Sequence, residues 1–226
     1  MTLPYGVFIS FEGGEGAGKS SQIARLCATL KSCGIDHIRT REPGGCVEAE
    51  TLRDLLVRDS HNNWTPKTEL MLMNAARHEH LEKVIRPALK DGRWVICDRF
   101  CDSSLVYQGY ARGMDLSVIE KYRADIVGST MPNLTFVLDV DPMIGIPRSR
   151  GNVHENGQVN QETRFENLEM SFHEKVREGF KKVVLNDPDR CHLIDAHKNQ
   201  NEVYMDMMSI LLQKYPLLSV PKNTPN

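Results

Sequence analysis

No apolar run in the 226 residues approaches the ~20 that a bilayer-spanning helix needs. Nor does a basic stretch precede a hydrophobic one at the N-terminus. The apolar run Val7–Phe11 is followed at once by Glu12, so we expect a buried strand there and not a signal peptide. A basic surplus is missing too: Lys plus Arg is 28, Asp plus Glu is 30, and the formal net charge is −2. The broad positive field that draws a protein to nucleic acid is therefore absent, and any anion site must be a local cluster. Cysteine is sparse. The six at 27, 33, 46, 97, 101 and 191 contain no C-x-x-C pair and read as scattered cytosolic thiols, since a disulfide scaffold would be shorter and denser in cysteine. His78-Glu79-His80 puts its two rings on different helix faces and makes a poor metal pair. There is no internal repeat and no low-complexity linker. These absences lead us to expect a cytoplasmic protein with neither membrane nor nucleic acid among its partners.

What is present is an ordinary globular composition, 40% hydrophobic and 26% charged, in a 25.6 kDa chain. That supports one compact domain, expected over residues 1–215. Apolar runs alternate with segments of helical period, the pattern of βαβ units around a parallel sheet. The predicted strands are Val7–Phe11, Ile35–Arg39, Trp94–Cys97, Leu134–Leu138 and His192–Ile194. Between them, Ile23, Leu26 and Leu30 mark a helix that Gly34 stops. Thr65-Pro66 opens a helix running through Leu70 and Met73 to about His80 and on towards Leu89. Asp115 caps a short helix through Ile119. Phe165, Leu168, Phe172, Val176, Phe180 and Val183 form one apolar stripe, and Val203, Met207 and Ile210 mark a last helix. The stretch from Ser149 to Glu162 is polar and has little to bury, which suits a lid or disorder. The proline-rich tail, 216–226, is expected to be flexible.

Chemistry enters at Gly13-Gly14-Glu15-Gly16-Ala17-Gly18-Lys19-Ser20, which matches G-x-x-x-x-G-K-[ST] without a gap. An apolar strand precedes it and an amphipathic helix follows. Glycines let backbone N–H groups converge on phosphate oxygens, and the helix N-terminus adds partial positive charge. Lys19 is predicted to reach the β- and γ-phosphates of ATP, and the Ser20 hydroxyl to ligate Mg²⁺. A P-loop alone does not separate a kinase from a switch GTPase or a motor. The guanine-reading N-K-x-D motif is absent, however, and the chain is short for motor machinery.

A second anion site follows the third strand, at Asp98-Arg99-Phe100-Cys101-Asp102-Ser103-Ser104-Leu105-Val106-Tyr107-Gln108-Gly109. Asp98 ends a buried strand, where ligands gather in open α/β sheets and where a carboxylate can hold water on Mg²⁺. Arg99 offers a planar fork to a phosphate. Taken alone, Asp98 and Arg99 read equally as a neighbouring ion pair, and Tyr107 and Gln108 as turn residues.

Together these residues resemble the thymidylate kinase family, which converts dTMP to dTDP. The resemblance spans about residues 5–210. It rests on Phe11-Glu12-Gly13 leading into the P-loop, Arg41-Glu42-Pro43-Gly44-Gly45, Asp98-Arg99-Phe100 with Ser103 and Tyr107-Gln108-Gly109, and Ile194-Asp195-Ala196. The chain is similar to the bacterial form, in which the lid and not the P-loop supplies arginine. The resemblance implies a P-loop kinase fold, a five-stranded parallel sheet flanked by helices with a mobile lid at about 148–164, usually as a homodimer. It implies that Glu15 bonds the sugar 3′-hydroxyl, Arg99 grips the dTMP phosphate, and Arg77 reaches a thymine carbonyl. Tyr107 would crowd the sugar C2′, Gln108 would line the base pocket, and Ser103 and Asp98 would belong to the same site. Arg148 and Arg150 fall where the family keeps its lid arginines, and Arg164 where a lid-end Arg-Phe-Glu stands. Three departures stand out. Met73 replaces a phenylalanine that stacks on thymine, Thr163 replaces an aspartate, and the lid is several residues longer. The roles of Arg41 and Glu42, which could simply pair with each other, stay open.

Charge arithmetic agrees with this. ATP brings about four negative charges and a phosphate monoester nearly two, which need counter-charge in a water-poor cleft. With a second pKa near ~6 the acceptor phosphate is already mostly dianionic, so positioning and electrostatics suffice and no general base is required. The competing readings are a kinase for another nucleotide or a deoxynucleoside, and a P-loop module that holds nucleotide without transferring it.

Overall fold

Strand β1 (Phe8–Gly13) is buried along its whole length, as a central parallel strand covered on both faces should be. It lies between β3 (Trp94–Asp98) and β4 (Leu134–Asp139), with β2 (His37–Arg41) and β5 (Cys191–Asp195) at the edges. The order β2-β3-β1-β4-β5 makes a five-stranded, wholly parallel sheet. The structure is a computed structural model and describes residues 6–58, 64–150, 168–216 and 218. The five strands fall where the apolar runs predict them, shifted by one or two residues. Their carboxyl ends are in register: Asp98 sits opposite both Phe11 and Arg41, so three loops leave the sheet side by side.

Helices pack on both faces. On one face, α1 (Lys19–Ser32) and α9 (Gln200–Lys214) bury Ile23, Leu26, Leu30, Val203, Met207 and Leu211 against Ile9, Phe11 and Phe136. Gly34 ends α1 as predicted. With φ 71 it lets its own N–H reach Lys31 O and that of Ile35 reach Leu30 O, the paired bonds of a Schellman stop. On the other face, α3 (Pro66–His80) opens with Thr65 Oγ1 accepting from Thr68 N at 3.4 Å and continues through a π-helical stretch, Leu81–Ile85, into α4 (Arg86–Lys90). Next come α5 (Cys101–Ser104), which widens into the π-helical Leu105–Ala111, and α6 (Leu116–Tyr122), capped by Asp115. The predicted apolar stripe forms α8 (Met170–Asn186), which buries Val176, Phe180 and Val183; Phe165 lies outside the described residues. Helix α2 (Val47–Arg53) has no counterpart in the sequence reading, since its seven residues bury only Ala49.

Two contacts fix the edge of the sheet that carries the glycine-rich loop. Gly16, at φ 65, presses against helix α7 (Pro142–Arg150): a side-chain carbon added to Gly16 would lie 1.8 Å from Gly145 O. Arg177 of α8 grips Asp139 at the end of β4 through two bonds of 2.7 and 2.9 Å. Of the tail 216–226, Leu218 packs into the core, and 217 and 219–226 lie outside the described residues.

Candidate active site

The loop after β1 and the turn after β3 meet at one carbonyl. Lys19 Nζ donates to Gly13 O at 3.2 Å and Gly14 O at 3.0 Å, and Arg99 Nη1 donates to the same Gly13 O at 2.9 Å. Two cations that would repel each other in isolation are thus held side by side. Burial, and then Arg99, push the Lys19 ammonium below its ordinary pKa. Carboxylates offset the repulsion. Glu15 Oε1 accepts from Arg99 Nη2 at 2.9 Å and from the Tyr107 hydroxyl at 3.0 Å. Burial works against ionisation of Glu15, yet Arg99, Lys19 and Tyr107 together hold its carboxyl below the usual range. Arg99 itself stands at φ 66, a left-handed conformation rare for a side chain of this size. Its N–H is tied to Phe11 O at 2.8 Å, and its guanidinium lies over the Tyr107 ring at 5.1 Å. Backbone strain at a ligand-facing cation is a pattern of functional sites.

Beneath this turn lies Glu12, fully buried. Oε1 accepts from Phe100 N at 2.8 Å and Ser103 N at 3.3 Å, and Oε2 pairs with Ser103 Oγ at 2.6 Å. Burial and neighbouring Asp102 push its pKa up to about 7 against the pull of Arg99. Ser103 Oγ also receives Arg99 Nη1 at 3.4 Å, so Glu12, Ser103 and Arg99 form one chain of contacts. The sequence reading takes Glu12 as the end of an apolar strand and as part of Phe11-Glu12-Gly13, but gives it no role; hydropathy carries no signal for a buried carboxylate whose donors, Phe100 N and Ser103, lie far along the chain.

Ser20 Oγ donates to Asp98 Oδ2 at 3.3 Å, which brings together the two oxygens expected to serve Mg²⁺. Hard oxygen donors at the mouth of a phosphate loop fit that ion.

Beside the cation pair a cavity of about 130 Å³, much more than a single water requires, has Glu15, Met73, Arg77, Arg99, Tyr107 and Gln108 in its lining, with Arg53, Ser103 and Ser104 among the other residues of its wall. Helix α3 supplies Met73 and Arg77 four residues apart, on one face. Arg77 is buried and makes four hydrogen bonds: Nε to Glu42 Oε2 at 2.7 Å, Nη1 to Asn74 Oδ1 at 3.2 Å, and Nη2 to Phe100 O and Ser104 Oγ at 3.3 and 3.1 Å. These four bonds use four of its five N–H donors and leave one on Nη1, on a residue that lines the cavity. Glu42 also takes His80 Nδ1 at 3.2 Å, while Arg41 turns outward to Glu50 at 3.0 Å, so Arg41 and Glu42 do not pair with each other. His80 is thereby a core histidine, with Thr40 Oγ1 2.6 Å from its other nitrogen.

Not every predicted residue joins the cluster. Arg148 is exposed on α7, with Nη1 3.5 Å from Ala196 O on the loop after β5. Arg150 ends the same helix, and Arg164, with residues 151–167, lies outside the described residues. Arg53, whose Nη1 donates to Pro43 O at 2.6 Å, is a cavity cation that the sequence reading misses, because the helix carrying it shows too little periodicity.

Fold and site together define a P-loop phosphotransferase with a second cationic pocket facing its phosphate loop. Comparison with known proteins narrows this. A family model described as thymidylate kinase matches residues 11–207. The chain is 43% identical over 217 residues to a thymidylate kinase of Caulobacter vibrioides, covering 95% of this chain and 100% of that one. It is 47% identical over 191 residues to one of Magnetococcus marinus, covering 84% and 88%. Among solved structures, the crystal structure of thymidylate kinase from Ehrlichia chaffeensis superposes with a TM-score of 0.73 at 33% identity, covering 92% of this chain and 99% of that one. The chain belongs to the thymidylate kinase family, ATP-dependent phosphotransferases of nucleotide biosynthesis that use Mg²⁺.

Proposed function

We propose that this chain transfers the γ-phosphoryl group of ATP to the phosphate of dTMP, with Lys19 and the amides of Gly13–Ser20 on the donor and Arg99 on the acceptor. The convergence of Lys19 and Arg99 on Gly13 O is the observation that carries this reading: it holds the two phosphate-binding cations against one loop. In-line transfer requires donor and acceptor phosphates to approach, and their mutual repulsion is the main barrier that fixed cations can lower. Ser20 and Asp98 would hold Mg²⁺, which when bound neutralises charge on the donor phosphates.

Glu15 orients Arg99 and Tyr107 through one oxygen and has its other oxygen for the sugar hydroxyl. Met73 covers the base, Arg77 offers its remaining N–H to a base carbonyl, Gln108 and Ser103 complete the wall, and Arg53 adds a cation near the acceptor phosphate. The lid arginines Arg148, Arg150 and Arg164 close over the transferring group as part of a single domain spanning 1–215. The enzyme acts as a cytoplasmic homodimer. No helix among the described residues is long and apolar enough to cross a membrane.

The test is ADP formation from ATP and Mg²⁺ with dTMP, dUMP, dCMP or thymidine as acceptor. The proposal predicts a rate that depends on the acceptor and is highest with dTMP. A rate indifferent to added nucleotide, or thymidine as the better acceptor, would refute it.

A further inference from the structure

Gln108 faces the acceptor cavity, and its amide is held in one orientation. Nε2 donates to Glu69 Oε1 at 2.8 Å, with both side chains buried, Gln108 at 2% and Glu69 at 0% exposure. Glu69 Oε2 lies 3.3 Å from Arg112 Nη2, an ion-pair contact without hydrogen-bond geometry, and the Arg112 guanidinium lies 5.8 Å from the Phe172 ring centre, so a cation sits beside the carboxylate. An ionised carboxylate only accepts hydrogen bonds. It therefore draws the nitrogen of Gln108 toward itself and leaves the amide oxygen as the end presented to the cavity. Glu69 precedes Met73 by four residues and Arg77 by eight, so one stripe of α3 carries the anchor, the base cover and the cavity's N–H donor.

We propose that Glu69, beside Arg112, is a positioning residue that sets the Gln108 amide as a hydrogen-bond acceptor and so discriminates thymine from cytosine. The proposal rests on reading the cavity as the dTMP site. There Arg77 gives a donor and Gln108 an acceptor, which complements a ring carbonyl beside an imide N–H. Cytosine presents the reverse, an amino donor beside a bare ring nitrogen. Donor would face donor and acceptor would face acceptor, and buried polar groups left unmatched in this way are costly. An amide free to turn would remove the mismatch at the ring nitrogen and leave only the one at Arg77; an amide held by Glu69 keeps both.

The experiment measures kcat/KM for dTMP and dCMP in the parent, E69Q, Q108M and the double variant. A glutamine at 69 both donates and accepts, so it no longer dictates the orientation of its neighbour. The ratio of dTMP to dCMP activity should fall about tenfold in E69Q, the worth of one hydrogen bond. It should fall similarly in Q108M, and no further in the double variant. General damage would lower both activities together and leave the ratio intact, so an unchanged ratio in E69Q, or full additivity in the double variant, overturns the proposal. Should E69Q fail to fold, E69D keeps the charge, withdraws the oxygen by one methylene and reads the same ratio. A parent that ignores dTMP would instead refute the reading of the site itself.

Discussion

At the scale of single residues, the site depends on charges placed where water cannot stabilise them. Glu12 is the sharpest case. Burial, and then Asp102, push its carboxyl up to about 7 in the folded chain, from the ordinary 4.5 of an exposed glutamate. The folded state therefore binds a proton more readily than the unfolded one between those values. Stability falls as pH rises through that window, and the favourable contribution is fully present only below about pH 4.5. E12Q should flatten this slope. The parent's melting temperature should exceed the variant's by more at pH 5 than at pH 8, and identical pH dependence would show that Glu12 titrates normally. Lys19 makes a different prediction. Among the described residues its ammonium hydrogen-bonds two loop carbonyls and no side chain, so K19A should leave the melting temperature nearly unchanged while lowering kcat about a hundredfold or more, the usual cost of a fixed charge at a transferring group. Near-normal turnover would remove Lys19 from the mechanism. The P-loop, Asp98 and Arg99 were legible as motifs because their residue types declare phosphate chemistry locally. Glu12, Glu69 and the Asp102–Arg190 pair, joined by bonds of 2.7 and 2.9 Å, were not, since each takes its meaning from a partner far along the chain.

At the scale of elements, ends were easier to read than interiors. Thr65, Asp115 and Gly34 act through bonds to residues two or three positions away, and all three stand where the sequence placed them. The π-helical stretches after α3 and α5 leave no such mark, because the i, i+4 pattern persists while the backbone widens. Helix α2 was missed for want of apolar residues, and Arg53 with it. The most consequential element is α3, whose inward face gives Met73 and Arg77 to the cavity. Methionine covers an aromatic base by dispersion but lacks ring stacking. M73F should lower KM for dTMP about two- to tenfold, the worth of an aromatic pair. An unchanged KM would mean that another side chain covers the base.

At the scale of the molecule, the parallel sheet is what converts scattered motifs into a site. β1, β2 and β3 are separated by up to 90 residues in sequence, yet their carboxyl ends align at Phe11, Arg41 and Asp98, so Lys19, Glu42 and Arg99 leave the sheet along one edge. With a net charge of only −2, the protein gathers its cations locally instead of carrying a global field. The central claim is that Arg99 and Lys19 grip two different phosphates. The most direct measurement is a crystal structure of the complex with dTMP and a non-hydrolysable ATP analogue. The account predicts the Arg99 guanidinium within hydrogen-bond distance of the dTMP phosphate, with Lys19 on the β- and γ-phosphates. A dTMP phosphate seated elsewhere, with Arg99 still held by Glu15, Gly13 O and Ser103 as in the free chain, would contradict it.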